Sequence, residues 1–326
     1  MDHPVITRFA PSPTGPLHLG HAYAAKVAHD LASQSGGKMI LRIDDIDHTR
    51  CRDIFTTQIF NDLDWLGLNW YSSASDAQSG RNAPRQSQRM PTYQAALKTL
   101  QDKGLVYPCY LSRRELNELL SAPHAPPASQ IDENISAAAP ASVIANTDQL
   151  LSQKEQARRH AAGQGAAWRL RMDTAIDIAL SNNCGSGHDG SEHGDDGETL
   201  SWFDHLAGRQ IADPAQFGDV VIARADIAVS YHLSVVIDDA LDGVTLVTRG
   251  DDLAASTHLH RLLQALFALS VPDYCHHALV LDQAGKRLAK RDSAHSLEMM
   301  RQIHDDPSSL FGKMPPMPAV NLHGNA

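Results

Sequence analysis

Val5-Ile6-Thr7-Arg8-Phe9-Ala10-Pro11-Ser12-Pro13-Thr14-Gly15-Pro16-Leu17-His18-Leu19-Gly20-His21, followed after a helical stretch by Met39-Ile40-Leu41-Arg42-Ile43-Asp44-Asp45-Ile46-Asp47, decides the fold. Val5 to Ala10 is β-rich and runs into a Pro/Gly turn. His21 to Ser35 predicts a helix that stops at Gly36-Gly37, and Met39 to Ile43 predicts a second strand. Strand, helix and strand in this order make a βαβ unit and so a parallel sheet. Ligands bind at strand ends in such sheets, which puts Arg8, Phe9, Ala10, Pro11 and Ser12 on one rim with Asp44 and Asp45. His18 and His21 stand three apart at a helix N-terminus, on one face. Free N–H groups and the positive dipole end make that terminus a seat for phosphate.

Working outward, Phe55, Ile59, Leu63 and Leu66 recur at helical spacing, and Tyr93, Leu97 and Leu100 suggest a further helix. Ser112-Arg113-Arg114-Glu115 has the pattern of a capping box. Residues 121 to 147 have the Ala/Pro/Ser composition of a linker, and 181 to 198 that of a mobile insertion with little to bury. Trp168 to Met172, Asp219 to Ala223, Leu233 to Ile237 and Ala278 to Leu281 are expected as strands, and Leu253 to Leu269 as a helix. The expected organisation is an α/β sheet split by an inserted α+β domain: 1–108, an insert over 109–200, a return over 201–295, and a short tail over 296–326.

The chain has 326 residues, 42% hydrophobic and 20% charged, as an ordinary globular protein would. Its formal charge of −10 argues against a surface that is basic throughout, though a local basic stripe on an acidic protein can still meet nucleic acid. Cys51, Cys109, Cys184 and Cys275 are too scattered for a disulfide framework. With no signal segment and no membrane-length apolar run, the expected location is the cytoplasm, without a membrane partner. A monomer is expected.

Arg8 to Gly15 followed by His18-Leu19-Gly20-His21 resembles the "HIGH" signature of class I aminoacyl-tRNA synthetases, in their glutamyl/glutaminyl branch. Leu41 to Asp47, Ser230-Tyr231-His232-Leu233 through Asp239, and Val247 to Leu253 resemble that branch's next three signatures. Gly285-Lys286-Arg287-Leu288-Ala289-Lys290-Arg291 occupies the place of the "KMSKS" loop. Only some 35 residues follow that loop, where full glutamyl- and glutaminyl-tRNA synthetases carry an anticodon-binding domain. That plan is similar to the glutamyl-Q tRNA(Asp) synthetase family.

The resemblance implies a Rossmann-type catalytic domain. It implies ATP-dependent, tRNA-independent activation of L-glutamate to glutamyl-adenylate. It also implies transfer of glutamate to the queuosine base at the wobble position of the tRNA(Asp) anticodon. His18, His21 and Lys290 are the implied catalytic groups, with Gly20 and Arg287 completing the ATP site. Arg8 is the first candidate for the side-chain carboxylate of glutamate, with Tyr231 and Arg249 next. Ser12 and Asp44 would hold the amino end, and Phe9, Ala10 and Pro11 line the same rim.

Three departures stand out. Asp44 replaces the family's glutamate, the fourth signature shortens to Arg249-Gly250-Asp251-Asp252, and Ala289 lacks a hydroxyl. ATP with Mg²⁺ is the expected co-substrate. The family's zinc is not expected, because Leu111 takes the second position of its Cys-x-Cys pair and no Tyr-x-x-x-Cys follows. Cys184, His188 and His193 could be assembled with Cys109 only from a flexible setting. Two alternatives stay open, a compact glutamyl-tRNA synthetase charging a 3′ end and a non-catalytic tRNA-binding homologue.

Overall fold

A computed structural model describes residues 4–77, 82–112, 114–116, 145–183, 199–224, 229–281, 296–303, 306–312 and 314–322. The chain opens as β1 (Ile6–Phe9), α1 (Leu19–Gln34) and β2 (Lys38–Leu41), with β1 and β2 parallel and Arg8 opposite Ile40. α1 starts two residues earlier than the sequence suggests, because His18 itself caps it. Then come α2 (Asp53–Trp65), α3 (Met90–Asp102), β3 (Val106–Cys109), α4 (Gln153–Ala161), β4 (Ala167–Leu170) and α5 (Met172–Asn183). β5 (Ser201–Asp204), β6 (Gly208–Ile211), β7 (Val221–Ala223), α6 (Tyr231–Leu241), β8 (Leu246–Gly250), α7 (Ser256–Leu266) and β9 (Asp273–His277) follow. α8 (Leu297–Ile303) and α9 (Ser308–Phe311) come last.

β9 lies between β5 and β8, parallel to both, and β6 adds an antiparallel edge. The β1–β2 pair docks beside this sheet, where the Thr245 N–H donates to the Ile6 carbonyl at 2.9 Å. β3, β4 and β7 form a separate antiparallel sheet. Helices cover both faces of the parallel array. One core gathers α1 and α2 with Leu246 and Cys275, and the other gathers α3, α5, α6 and α7.

Two predicted strands are corrected. Leu233 to Ile237 lies inside α6, although Val235, Val236 and Ile237 favour strands individually. The Ser230 hydroxyl accepts from the Leu233 N–H to cap the helix, and a helix buries both the apolar residues and Asp238 and Asp239. The last parallel strand is Asp273–His277 rather than Ala278–Leu281, since register with β8 outweighs the more apolar stretch. The 296–326 segment contributes to the core: Leu297 and Leu310 are fully buried, and Met314, Met317, Val320 and Leu322 pack on the first core. Tyr23 donates to the Pro316 carbonyl at 2.9 Å, fixing that segment over α1.

Candidate active site

The turn after β1 leads directly into the cap of α1. The Gly20 N–H donates to His18 Nδ1 at 3.1 Å, and the His18 N–H donates to His21 Nδ1 at 3.2 Å, a reciprocal capping box. Both Nδ1 atoms accept, so each neutral ring carries its proton at Nε2. The ring centroids stand 3.9 Å apart. A Cβ on Gly20 would lie 3.0 Å from His18 Cε1, so this glycine makes room for the imidazole itself. Ser296 bridges to His18, and the Leu297 N–H donates to the Leu17 carbonyl at 2.8 Å. The chain thus returns to the α1 cap just after the segment that carries Arg287 and Lys290. Those two residues lie outside the described ones.

Backbone pairing continues past β1 and β2: the Arg42 N–H donates to the Phe9 carbonyl at 3.0 Å, and the Asp44 N–H to the Pro11 carbonyl at 3.1 Å. Ala10, Pro11 and Ser12 are therefore held alongside Arg42 to Asp44, as the rim argument required. Beneath them lies a buried ionic cluster. Arg8 Nε donates to both oxygens of Asp239 at 3.2 Å, and its Nη1 to the Thr248 carbonyl at 2.9 Å. Arg42, with no exposed surface, donates to Asp44 and Asp239 at 2.8 Å each and to Asp242 at 3.2 Å. Arg89 bonds Asp238 and Asp242, while Gln86 and Tyr93 also donate to Asp238. Burial pushes the Asp44 carboxyl up to about 6, with Asp238 and Asp239 adding to the rise and Arg42 opposing it. Burial would raise Asp239 as well, but Arg8 and Arg42 outweigh it and hold that carboxyl below the usual range.

Arg42, Asp238 and Asp239 stand in the sequence only as parts of signatures, and Arg89 and Asp242 lie outside them. The available signal was the spacing of Asp238, Asp239 and Asp242, which puts three carboxylates on neighbouring turns at the end of α6, with Asp242 as its C-cap.

Arg249, at the end of β8, is buried. Its Nε donates to His276 Nε2 at 3.1 Å, its Nη1 to His260 Nδ1 at 3.1 Å and its Nη2 to the Thr257 hydroxyl. His260 Nε2 lies 3.1 Å from His232 Nδ1, and His276 Nδ1 lies 2.5 Å from Asp204 Oδ2. Burial, and then the Arg249 charge, pushes His232 down to about 4 and His260 well below its usual range. Arg8 also depresses His260, so both guanidiniums bear on one imidazole. Tyr231, the first residue of α6, is 43% exposed and stands 5.9 Å from the His260 ring. The structure thus brings Arg8, Ser12, Asp44, Tyr231 and Arg249 around one rim, with His18, Gly20 and His21 at the neighbouring helix cap. A cavity of about 600 Å³ adjoins the cluster, lined by Asp204 and His276 together with Trp202, Gln210, Asp251 and His258.

Cys109 sits in an apolar cluster with Tyr107, Leu111 and Leu116. Among the described residues no three His, Cys, Asp or Glu side chains are grouped to hold a metal. Cys184, His188 and His193 lie outside the described residues.

Residues 4–184 and 193–314 match the family described as tRNA synthetases class I (E and Q), catalytic domain. The chain belongs to this family. A Glutamyl-Q tRNA(Asp) synthetase of Rhodobacter capsulatus is 42% identical over 94% of this chain and 98% of its own length. One of Symbiobacterium thermophilum is 36% identical, over 94% of this chain and 84% of the relative. A Glutamate--tRNA ligase of Synechococcus sp. is 32% identical over 94% of this chain and 55% of its own length. In fold, the synthetase resembles the crystal structure of a glutamate tRNA ligase from Elizabethkingia meningosepticum in complex with its amino acid. The TM-score is 0.64 at 24% identity, over 90% of this chain and 53% of the other. The chain thus spans about half the length of that structure. Family membership makes this synthetase a ligase. No described helix is long and apolar enough to cross a membrane.

Proposed function

We propose that this synthetase activates L-glutamate with ATP, without needing tRNA, and transfers the glutamyl group to the queuosine base at the wobble position of tRNA(Asp). The observation that carries the amino-acid half is the pair of buried guanidiniums, Arg8 and Arg249, on one rim with Asp44. A dicarboxylate with one ammonium needs two cationic grips and an anionic one, and arginine grips carboxylates in a fork. Arg249 is the better grip for the side-chain carboxylate, because Arg8 already shares its charge with Asp239. Tyr231 closes that end. Ser12 and Asp44 take the ammonium, and Phe9, Ala10 and Pro11 shape the wall between them.

In the activation step an oxygen of the glutamate α-carboxylate attacks the ATP α-phosphorus. The bond to the bridging oxygen breaks, and pyrophosphate leaves with that electron pair. Positioning and charge stabilisation supply the catalysis. His18 and His21 donate from Nε2 to phosphate oxygens at the α1 terminus. Lys290, with Arg287 beside it, adds positive charge as pyrophosphate forms. Mg²⁺ enters with ATP, held by its phosphates. A queuosine hydroxyl then attacks the activated carbonyl carbon, forming the ester and expelling AMP.

The transfer half rests on the relatives named Glutamyl-Q tRNA(Asp) synthetase, which reach 42% identity. In keeping with it we propose a cytoplasmic, monomeric enzyme, divided at residues 108, 200 and 295 as its sequence suggests. Glutamate-dependent exchange of labelled pyrophosphate into ATP, measured without tRNA, tests the activation half. Exchange that appears only on adding tRNA would favour a charging synthetase, and none under either condition would favour a non-catalytic protein.

A further inference from the structure

We propose that Thr257, His260 and His276 are positioning residues that hold the Arg249 guanidinium through uncharged acceptors, with Asp204 and His232 fixing the imidazole tautomers at the two ends. This rests on the reading of Arg249 as a grip for a substrate carboxylate.

The wiring follows from donor and acceptor chemistry. A guanidinium has five N–H donors and no acceptor, so every atom that Arg249 bonds must accept. His276 therefore accepts at Nε2 and keeps its proton on Nδ1, where it donates to Asp204 Oδ2 at 2.5 Å. His260 accepts at Nδ1 and keeps its proton on Nε2, where it donates to His232 Nδ1 at 3.1 Å. His232, an acceptor at Nδ1, then carries its own proton on Nε2. The Thr257 hydroxyl accepts from Arg249 Nη2 and lies 3.1 Å from His276 Nε2, closing the ring. Each imidazole can play its part only when neutral, and burial lowers the basicity of all three.

The contrast with Arg8 gives the arrangement its meaning. Arg8 and Arg42 donate directly to carboxylates, which offset their charge. Among the described residues the hydrogen-bond partners of Arg249 are all uncharged, and Asp204 joins this network through His276. Arg249 is thus held by three uncharged acceptors with the Tyr274 ring 5.5 Å from its guanidinium carbon, and two of its five N–H groups make none of these bonds. A rigid, uncompensated guanidinium attracts a carboxylate over an amide, because an amide cannot supply the opposing charge.

Two measurements on the full chain test this. Nitrogen-15 NMR of the imidazoles of the ligand-free protein should find the proton on Nδ1 in His276 and on Nε2 in His260 and His232. A proton on Nε2 of His276 or Nδ1 of His260 would overturn the wiring whatever the activity. In pyrophosphate exchange, His260→Leu should raise the glutamate KM by about tenfold or more, the scale of one lost hydrogen bond to a charged group. The ATP KM should stay within about twofold, and His260→Gln, whose amide oxygen can still accept from Nη1, should recover most of the loss. An unchanged glutamate KM in a folded His260→Leu protein would overturn the positioning role. Wild-type protein without glutamate-dependent exchange would overturn the underlying reading of Arg249, an outcome distinct from either.

Discussion

Replacing Arg42 by Met keeps the apolar stem and deletes the cation at the centre of the buried cluster. The remaining partners show where the cost falls. Asp239 keeps Arg8, Asp238 keeps Arg89, Gln86 and Tyr93, and Asp242 keeps Arg89. Asp44 loses the one cation bonded to it among the described residues. One carboxylate is thus stranded in a buried site, and breaking such a pair costs about 3–5 kcal/mol. Against a typical total of about 5–15 kcal/mol, that is a large share.

The assay is urea unfolding of wild type, Arg42→Met, Asp44→Asn and the double variant at pH 7.5. The double variant should recover about 2 kcal/mol of the single loss, because the stranded charge is gone. A coupling below about 0.5 kcal/mol would mean that the two side chains are energetically independent and that no charge is stranded. pH offers a second check. Burial raises Asp44 to about 6 even with Arg42 opposing the rise, so loss of Arg42 lifts it further, and the gap between wild type and Arg42→Met should narrow as pH falls towards about 6 and level off below it.

Asp62 in α2 has no exposed side-chain surface and, among the described residues, no hydrogen-bond partner for either oxygen, and burial raises it to about 7 against the opposing charge of Arg301 at 3.8 Å. Its folded pKa exceeds its unfolded one, so its contribution to stability is present at low pH and is lost as pH rises through 7. Asp62→Asn should therefore gain about 1–3 kcal/mol over wild type at pH 8 and little at pH 5, read by urea unfolding at both. Gly20→Ala should leave the unfolding midpoint unchanged or raised, since alanine favours helix by up to about 1 kcal/mol. Its exchange kcat should nonetheless fall about tenfold or more as the new Cβ displaces the His18 ring; an unchanged kcat would show that the position of this ring is immaterial. If ionised Asp44 holds the substrate ammonium, kcat/KM for glutamate should fall as pH drops through about 6, and a flat profile would remove that role. Lys290→Ala should slow exchange with little change in glutamate KM, and an unchanged rate would take Lys290 out of the mechanism.

The βαβ unit was legible because its signals are local: a β-rich run, a proline turn, a capped helix and a glycine stop lie in one stretch of chain. The rim residues Arg8 to Ser12 and Asp44 followed from strand-end geometry alone. Leu233 to Ile237 misled because its β-branched residues carry a strand preference, while burial on α6 is a tertiary demand. The ionic cluster was hidden for a related reason. Arg42 and Arg89 meet Asp238 and Asp242 across some 150 to 200 residues of chain, and only the fold brings them together. The wiring of Arg249 through His260 and His276 was equally invisible, since a histidine in a sequence does not announce which nitrogen will accept.

The most direct test of the central claim is transfer of labelled glutamate to tRNA(Asp), comparing queuosine-containing with queuosine-lacking tRNA, each with free and periodate-blocked 3′ ends. Labelling should require queuosine and tolerate a blocked 3′ end. Label that ignores queuosine and needs a free 3′ end would contradict that claim.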